Sequence, residues 1–565
     1  MSAVAEAALG TLDRRTPRDS VELQVARVEG LRLVRHPFCL IGVVLGAALM
    51  VAGTWTVVPV LNRHDGVTVD ALMPLAAAML IVSHLAVSRS VRHGTIELYG
   101  STPARIEATT LGHLLALAWA FGFALLVALA ELIYLKAVGG IGMPRPFVVL
   151  TGPALVVLGG ALGVALGRFM RQPFSGPLAL IGLVALTAGM LNAGSLQPRA
   201  VAESLSPYLP GDHWWQGVGE LTLRPLGLQL AYVSSLVVTV SLVALVRVRR
   251  RPLVIALLCA ALASSAMFGQ WRAETPTRAE EMAAAAPFLA PDKHRTCESR
   301  SEIRYCAYPA YVPWIEKWSA VVGPVVAAAP PAERPKDLAV TQLPTDNEFF
   351  GSDAYGAGNR FQRLLRRGLL GTPQEVHPGL KWGRNAAEGE FELGLALKVA
   401  ERVTGIEAGF KVTEEDLEAM PRRARKRIGV GKHTQCAAFE QGRAVVALWL
   451  AAQATPHTRA TFLQALAPVG YHSFNQVELS EYQNQVFGYS GPDIVNWGTR
   501  EAEYAQQLLR RDATEVVTLV QANWDRLTDP RTTSDQAASV LGLELLESDG
   551  SLQRQAVNNG LLLCR

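Results

Sequence analysis

Seven predominantly apolar runs mark the first half of the chain, at 38–61, 71–88, 110–138, 147–167, 176–193, 226–246 and 252–270. A helix needs about 20 such residues to cross the hydrocarbon core of a bilayer. The pattern therefore predicts an α-helical polytopic membrane protein with about seven transmembrane helices. Ahead of the first run, Val21, Val25, Val28, Leu31 and Val34 recur at helical spacing, with Arg27, Glu29 and Arg32 on other faces. Asp19 followed by Glu22 has the form of a capping box. Together they predict an amphipathic helix suited to the inner membrane surface, within a cytoplasmic lead-in of residues 1–37. No basic start leads directly into an apolar core and a small-residue cleavage site, so no removable signal peptide is expected.

Between the second and third runs lies a polar island, 88–110, carrying Arg89, Arg92 and Arg105. Gly94, Thr95, Ile96, Glu97 and Leu98 predict a short amphipathic helix. Thr102 and Pro103 then provide a cap and a first-turn proline for a second helix. The segment 89–109 is expected to be a cytoplasmic docking element for a partner protein. Arginine placement gives the orientation. Segments 1–37, 89–109, 168–175 and 247–251 hold 6, 3, 2 and 4 Lys and Arg residues, whereas the short alternate loops hold Arg63, Arg145, Arg199 and Arg224. Positive residues collect on the cytoplasmic side. This predicts a cell-membrane protein with a cytoplasmic N-terminus and a bundle spanning 38–270. Everything after Gln270 then falls outside the cytoplasm.

Within the bundle, His84 and His113 lie near the predicted cytoplasmic ends, within reach of water. Glu131 sits about two turns from the outer end of the third span, with Lys136 at its lip. An ionisable group inside a span is a functional candidate, and a snorkelling Glu131–Lys136 pair is the structural alternative. In the outer loop 194–225, Trp214 and Trp215 suit an interfacial anchor.

After residue 270 the pattern changes. Cys297 and Cys306 flank eight residues that read as a hairpin turning near Ser299–Ser301. A helix follows from Pro313, with Trp314, Trp318, Val321 and Val325 on one face, and then a strand near 338–343. Beyond Phe350, helical spacing recurs at 387–404, 413–427, 435–453, 458–466 and 500–528. This predicts a linker with a small disulfide-tethered α/β part at 271–355, and a mainly α-helical extracytoplasmic domain at 356–565. Arg422–Arg427 is a basic run suited to a solvated helix end.

Composition agrees with a half-membrane, half-aqueous chain: 50% hydrophobic, 18% charged and mean hydropathy +0.21. The net charge of +4, mostly arginine in short loops, argues against a nucleic-acid partner. Cys39 and Cys259 fall in apolar runs. Cys297, Cys306, Cys436 and Cys564 fall in the aqueous half, where an even number permits two disulfides in an oxidising compartment. The Cys297–Cys306 spacing is too wide for a zinc pair. A Cys436–Cys564 bridge would pin the chain end onto the helical domain.

The sequence holds no P-loop, His-Glu-x-x-His, Gly-x-Ser-x-Gly or Cys-x-x-Cys motif, and its histidines lack ligand spacing. No metal site, cofactor or enzymatic activity of its own is expected. The lead-in 27–37 and the segment 92–105, with its Gly94–Leu98 and Thr102–Pro103 elements, resemble the permease subunits of bacterial type 2 ABC exporters. The resemblance covers about residues 20–270. It implies that Arg92, Gly94, Thr95, Glu97, Leu98, Pro103 and Arg105 belong to a coupling segment seated in a groove of a separate ATPase subunit. That subunit would bind ATP and Mg, and a second permease copy or paralogue would complete the assembly. The family often has six spans, so seven with an added exterior domain is a departure. The competing expectation is a non-transporting polytopic anchor for an extracytoplasmic binding or assembly domain.

Overall fold

A computed structural model of the chain describes residues 21–89, 106–170, 172–192, 226–246, 252–273, 290–343, 375–406, 436–466, 495–547 and 562–564. The N-terminal half holds α1 (Val21–Val34), α2 (Pro37–Gly53), α3 (Leu61–Val87), α4 (Ile106–Ala137), α5 (Pro146–Phe169), α6 (Ser175–Asn192), α7 (Leu226–Val246) and α8 (Pro252–Ala273). Every predicted apolar run carries a helix. Four contain stretches long and apolar enough to cross a membrane: Gly66–Val87, Ala108–Ala137, Pro146–Phe169 and Gly227–Val246. The pair α1 and α2, bent by 49°, makes a fifth if it counts as one span. The apolar helices Ser175–Leu186 and Leu257–Phe268 are shorter. By length and composition this is a polytopic helical membrane protein with four to five candidate spans.

Two boundaries differ from the sequence pattern. The first apolar run stops being helical at Gly53, and the second helix starts at Leu61, ten residues before its apolar run. The polar stretch 62–66 looks like a loop by composition. A helix satisfies its own backbone groups, so it extends through polar residues wherever one face remains packed. Leu61 is packed in this way, sharing a cluster with Met50, Ala71 and Leu135.

Small residues hold the bundle together. Apolar burial drives helix association weakly in lipid, so close backbone approach and dispersion contacts decide it. On α5, a methyl group at Gly163 would lie 2.2 Å from the Leu80 carbonyl oxygen of α3. On α2, one at Gly46 would lie 1.9 Å from that of Ala71. Between α7 and α8, the Ser265 hydroxyl lies 3.0 Å from that of Ser235 and 3.3 Å from that of Thr239.

The C-terminal half contains β1 (Thr296–Arg300), β2 (Ile303–Ala307), α9 (Trp314–Ala328), β3 (Ala339–Thr341), β4 (Glu375–Val376), α10 (Glu388–Val403) and β5 (Cys436–Ala437). It continues with α11 (Gly442–Ala452), α12 (Pro456–Ala465), β6 (Val495–Asn496), α13 (Thr499–Leu509), α14 (Ala513–Ala522), α15 (Trp524–Thr528), α16 (Ser534–Val540) and β7 (Leu562–Leu563). The predicted hairpin is present. Ser301 and Glu302, both at positive φ (48° and 68°), form its two-residue turn, and Cys297 stands directly opposite Cys306. The primed turn matches the twist of the strands it joins. Strand order is β1-β2-β3-β4 in one sheet and β6-β5-β7 in the other. As expected, α9 buries Trp314, Trp318, Val321 and Val325. A single apolar core joins these residues to Trp382, Leu397, Trp449, Trp497 and Leu527, continuing across 355/356.

Two helices expected from spacing are interrupted. Cys436 belongs to strand β5, and α11 starts only at Gly442, after Glu440 at φ 55°. The long helix at 500–528 is divided into α13, α14 and α15 because Asp512 caps a new start, accepting from the Thr514 and Glu515 amides at 3.0 Å each. The expected helix at 413–427, the Arg422–Arg427 run and the Trp214–Trp215 pair lie outside the described residues.

Both disulfides are formed, Cys297–Cys306 and Cys436–Cys564. Their sequence separations of 9 and 128 residues correspond to about 2.5 and about 5 kcal/mol of unfolded-state restriction. The second bridge is reinforced by Arg443, 2% exposed, which donates to the Cys564 carbonyl at 2.9 Å and to the Gly405 carbonyl at 2.7 Å. Gln441 donates to the same Cys564 oxygen at 3.1 Å. Nearby, the buried Glu501 carboxylate accepts from the Glu440 amide (2.8 Å) and the Ser534 hydroxyl, and burial pushes its carboxyl above the usual range.

The two halves are joined through backbone hydrogen bonds. Val58 N–H donates to Trp382 O (2.8 Å) and Arg384 N–H to Thr56 O (3.0 Å), an antiparallel bridge between Val57 and Gly383. Asn385 Nδ2 donates to Trp55 O at 2.7 Å. Ile141 N–H donates to Pro59 O (3.0 Å), and Leu61 N–H to Ile141 O (2.8 Å). The connections following α2 and α4 therefore sit against the C-terminal domain, and its core includes Val58 and Val60.

Replacing Gly163 with isoleucine forces α3 and α5 apart, an overpacking cost of about 1–3 kcal/mol. The thermal midpoint of the detergent-solubilised chain should fall. The same change at Gly182, which has open space around it, should leave that midpoint unmoved.

Candidate partner-docking site

The bundle end remote from the C-terminal domain is built from α1, the last turn of α3, the start of α4, the end of α5 and the start of α6. The predicted coupling residues Arg92, Gly94, Thr95, Glu97, Leu98, Pro103 and Arg105 lie outside the described residues. The two attachments of that segment are described: Arg89 after α3, and Ile106 opening α4.

Arg89 is held by a carboxylate from another element. Its guanidinium donates to Glu29 Oε1 of α1 at 3.2 Å, and the same oxygen accepts from Arg32 at 2.7 Å. The Glu29 side chain is only 11% exposed, whereas Arg89 and Arg32 are 40% and 59% exposed. The Arg32 contact follows from i, i+3 spacing on one helix. The Arg89 contact spans sixty positions and has no signature in sequence. On the opposite attachment, Arg168 of α5 donates a long hydrogen bond (3.5 Å) to Thr109 of α4.

The expected α1 helix is present and packs along α4. Its small face, Ala26, Glu29, Gly30 and Leu33, is buried. Gly30 meets Trp119, and Val25 meets Gly112, so α1 runs alongside the first turns of α4 in the same direction. Of the predicted apolar stripe, Val21, Val28 and Leu31 point away from the bundle at 45%, 49% and 38% exposure, whereas Val25 packs against Gly112. The two glycines leave room for the Trp119 ring and the Val25 side chain between the helices, and the outward residues are free to face lipid.

His84 is enclosed rather than wet. It is 0% exposed, and Nε2 donates to the Gln172 carbonyl at 3.0 Å. That carbonyl also accepts from the Ser175 hydroxyl at 2.7 Å. The start of α6 thus closes over the end of α3, and the turn between α5 and α6 is tied to the helix that leads into 89–109. Among the described residues, no group of three or more His, Cys, Asp or Glu side chains could hold a metal ion.

No protein family, curated protein or solved structure matches this chain.

What this bundle end can do follows from its own chemistry. Both attachments of the polar segment are braced by charged or polar contacts to other helices. A force applied to residues between them is therefore delivered to α1, α3, α4 and α5 together.

Replacing Glu29 with glutamine leaves Arg32 and Arg89 without their shared anion and should cost about 1–3 kcal/mol. Thermal unfolding of the purified chain is the measurement. Exchanging the charges, Glu29→Arg with Arg89→Glu, should recover part of the loss.

Proposed function

We propose that this chain is the transmembrane permease subunit of a type 2 ABC transporter. It moves a substrate across the cell membrane with ATP hydrolysed by a separate nucleotide-binding subunit. The observation that supports this reading is that Arg89 and Ile106, the two attachments of the polar segment, lie at the bundle end opposite the C-terminal domain. One end offers an anchored, arginine-bearing element for a partner to grip, and the other carries a large folded domain.

In this reading all seven apolar helices cross the bilayer. The arginine-rich connections then face the cytoplasm, and the two disulfides lie in an oxidising compartment. ATP binding closes the partner's dimer and displaces the segment held at Arg89 and Ile106. The rigid packing of α3 against α5 carries the movement through the bundle. A second copy or a paralogue completes the pathway, and ATP and Mg are bound on the ATPase. The C-terminal domain caps the exit or recruits a surface partner.

A second reading is supported by the backbone seam between Thr56–Val58 and Trp382–Arg384. A domain sewn to its membrane helices in this way also suits a non-transporting anchor for an extracytoplasmic binding or assembly domain.

Co-purification separates the two. The chain should bring down an ATPase, and the double change Glu97→Lys, Arg105→Glu should abolish that association while the chain stays monodisperse. An ATPase retained by the double variant counts against docking through 89–109. Absence of any ATPase with the unaltered chain favours the anchor.

A further inference from the structure

Glu131 is a buried ionisable side chain of the bundle. It lies on the buried stripe of α4, in line with Ala116, Ala120, Ala124, Ala128 and Leu135, each 0% exposed, and is itself 5% exposed. Both of its carboxyl oxygens are buried, and neither has a hydrogen-bond partner among the described residues. The pair with Lys136 foreseen from sequence does not form. Five residues turn a helix by about 140°, so the two side chains leave on different faces, and Lys136 is exposed.

Besides α1, the helices packed on α4 are α3, α5 and α7, and Met50 of α2 joins the apolar cluster beside Leu135. The ionisable residues they offer are Asp70 on α3 and Arg145 at the start of α5. Each has an interaction of its own, and neither is paired with Glu131. The side chains of Arg63, His64 and Asp65 lie outside the described set. The immediate environment is apolar, with Leu132 and Leu135 clustering with Met50, Leu61 and Ala71.

A bare carboxylate enclosed in such surroundings costs several kcal/mol, and it persists only with a compensating cation. A metal ion needs several oxygen ligands, and among the described residues no three His, Cys, Asp or Glu side chains gather to supply them. A bound ammonium or guanidinium group needs space beside the carboxyl, and the residue is packed to 5% exposure. A proton needs neither ligands nor room. We propose that Glu131 is a proton-binding carboxyl inside the membrane bundle, loaded when α2, α3 and α4 are packed as described. Any rearrangement that admits water to this stretch of α4 exchanges the proton. The inference does not depend on the permease reading.

Carbodiimides test it directly, because they add to a carboxylic acid that carries its proton. The acid's proton passes to a carbodiimide nitrogen as the carboxyl oxygen bonds to the central carbon, and rearrangement leaves a stable N-acylurea. The full chain in lipid nanodiscs is treated at neutral pH with apolar dicyclohexylcarbodiimide or, separately, with a water-soluble carbodiimide. Peptide mass spectrometry then locates the adduct. The apolar reagent, entering from the lipid during transient separation of the helices, should tag Glu131; the water-soluble one should not, and the adduct should be lost in Glu131→Gln. Glutamine reproduces the neutral, protonated form, so this variant should keep the thermal midpoint of the unaltered chain. No adduct at Glu131, or a midpoint in Glu131→Gln as low as in Glu131→Lys, would overturn the proposal.

Discussion

The short connection from Thr54 to Val60, between α2 and α3, constrains everything else in this molecule. It is too irregular to satisfy its own backbone groups, and unpaired backbone groups are costly wherever water is excluded. Its partners come from two distant places in the chain, Trp382 to Asn385 in the C-terminal domain and Ile141 beyond α4. Those bonds fix which end of the bundle the domain occupies. Val58 and Val60 then enter the domain core beside Trp314 and Trp382, so the junction is part of the fold rather than a tether.

At the remote end the arrangement depends on charge instead. Glu29 ties α1 to the end of α3, and His84 ties α3 to the turn that begins α6. Between the two ends, α3 and α5 touch through glycines, where a side chain on one backbone would collide with the other. Packing that close deforms little, so displacement at one end is carried as rigid-body movement.

Much of the fold was legible in the sequence. The apolar runs located all of α2 to α8, and the hairpin with its cysteines, the Trp314–Val325 face and the final disulfide follow from spacing and parity. The misplaced features have physical causes in common. The start of α3 is polar yet helical because its apolar face is packed, and Asp512 divides a long helical pattern by offering a better cap than continuation. The candidate site was less legible. Contacts such as Arg89 to Glu29 and the hydrogen bond from His84 to Gln172 join positions far apart in the chain. Periodicity reports which face of a helix is apolar, but not which neighbour will meet it.

The central claim is that the bundle end bearing Arg89 and the domain held by the two disulfides occupy different aqueous compartments. Protease added to intact cells with an opened outer envelope tests this most directly, using a chain tagged at its N-terminus. The account predicts digestion within residues 290–564 while the N-terminal tag survives until the membrane is permeabilised. Protection of the domain together with loss of the tag, or equal sensitivity of both in sealed cells, would contradict it.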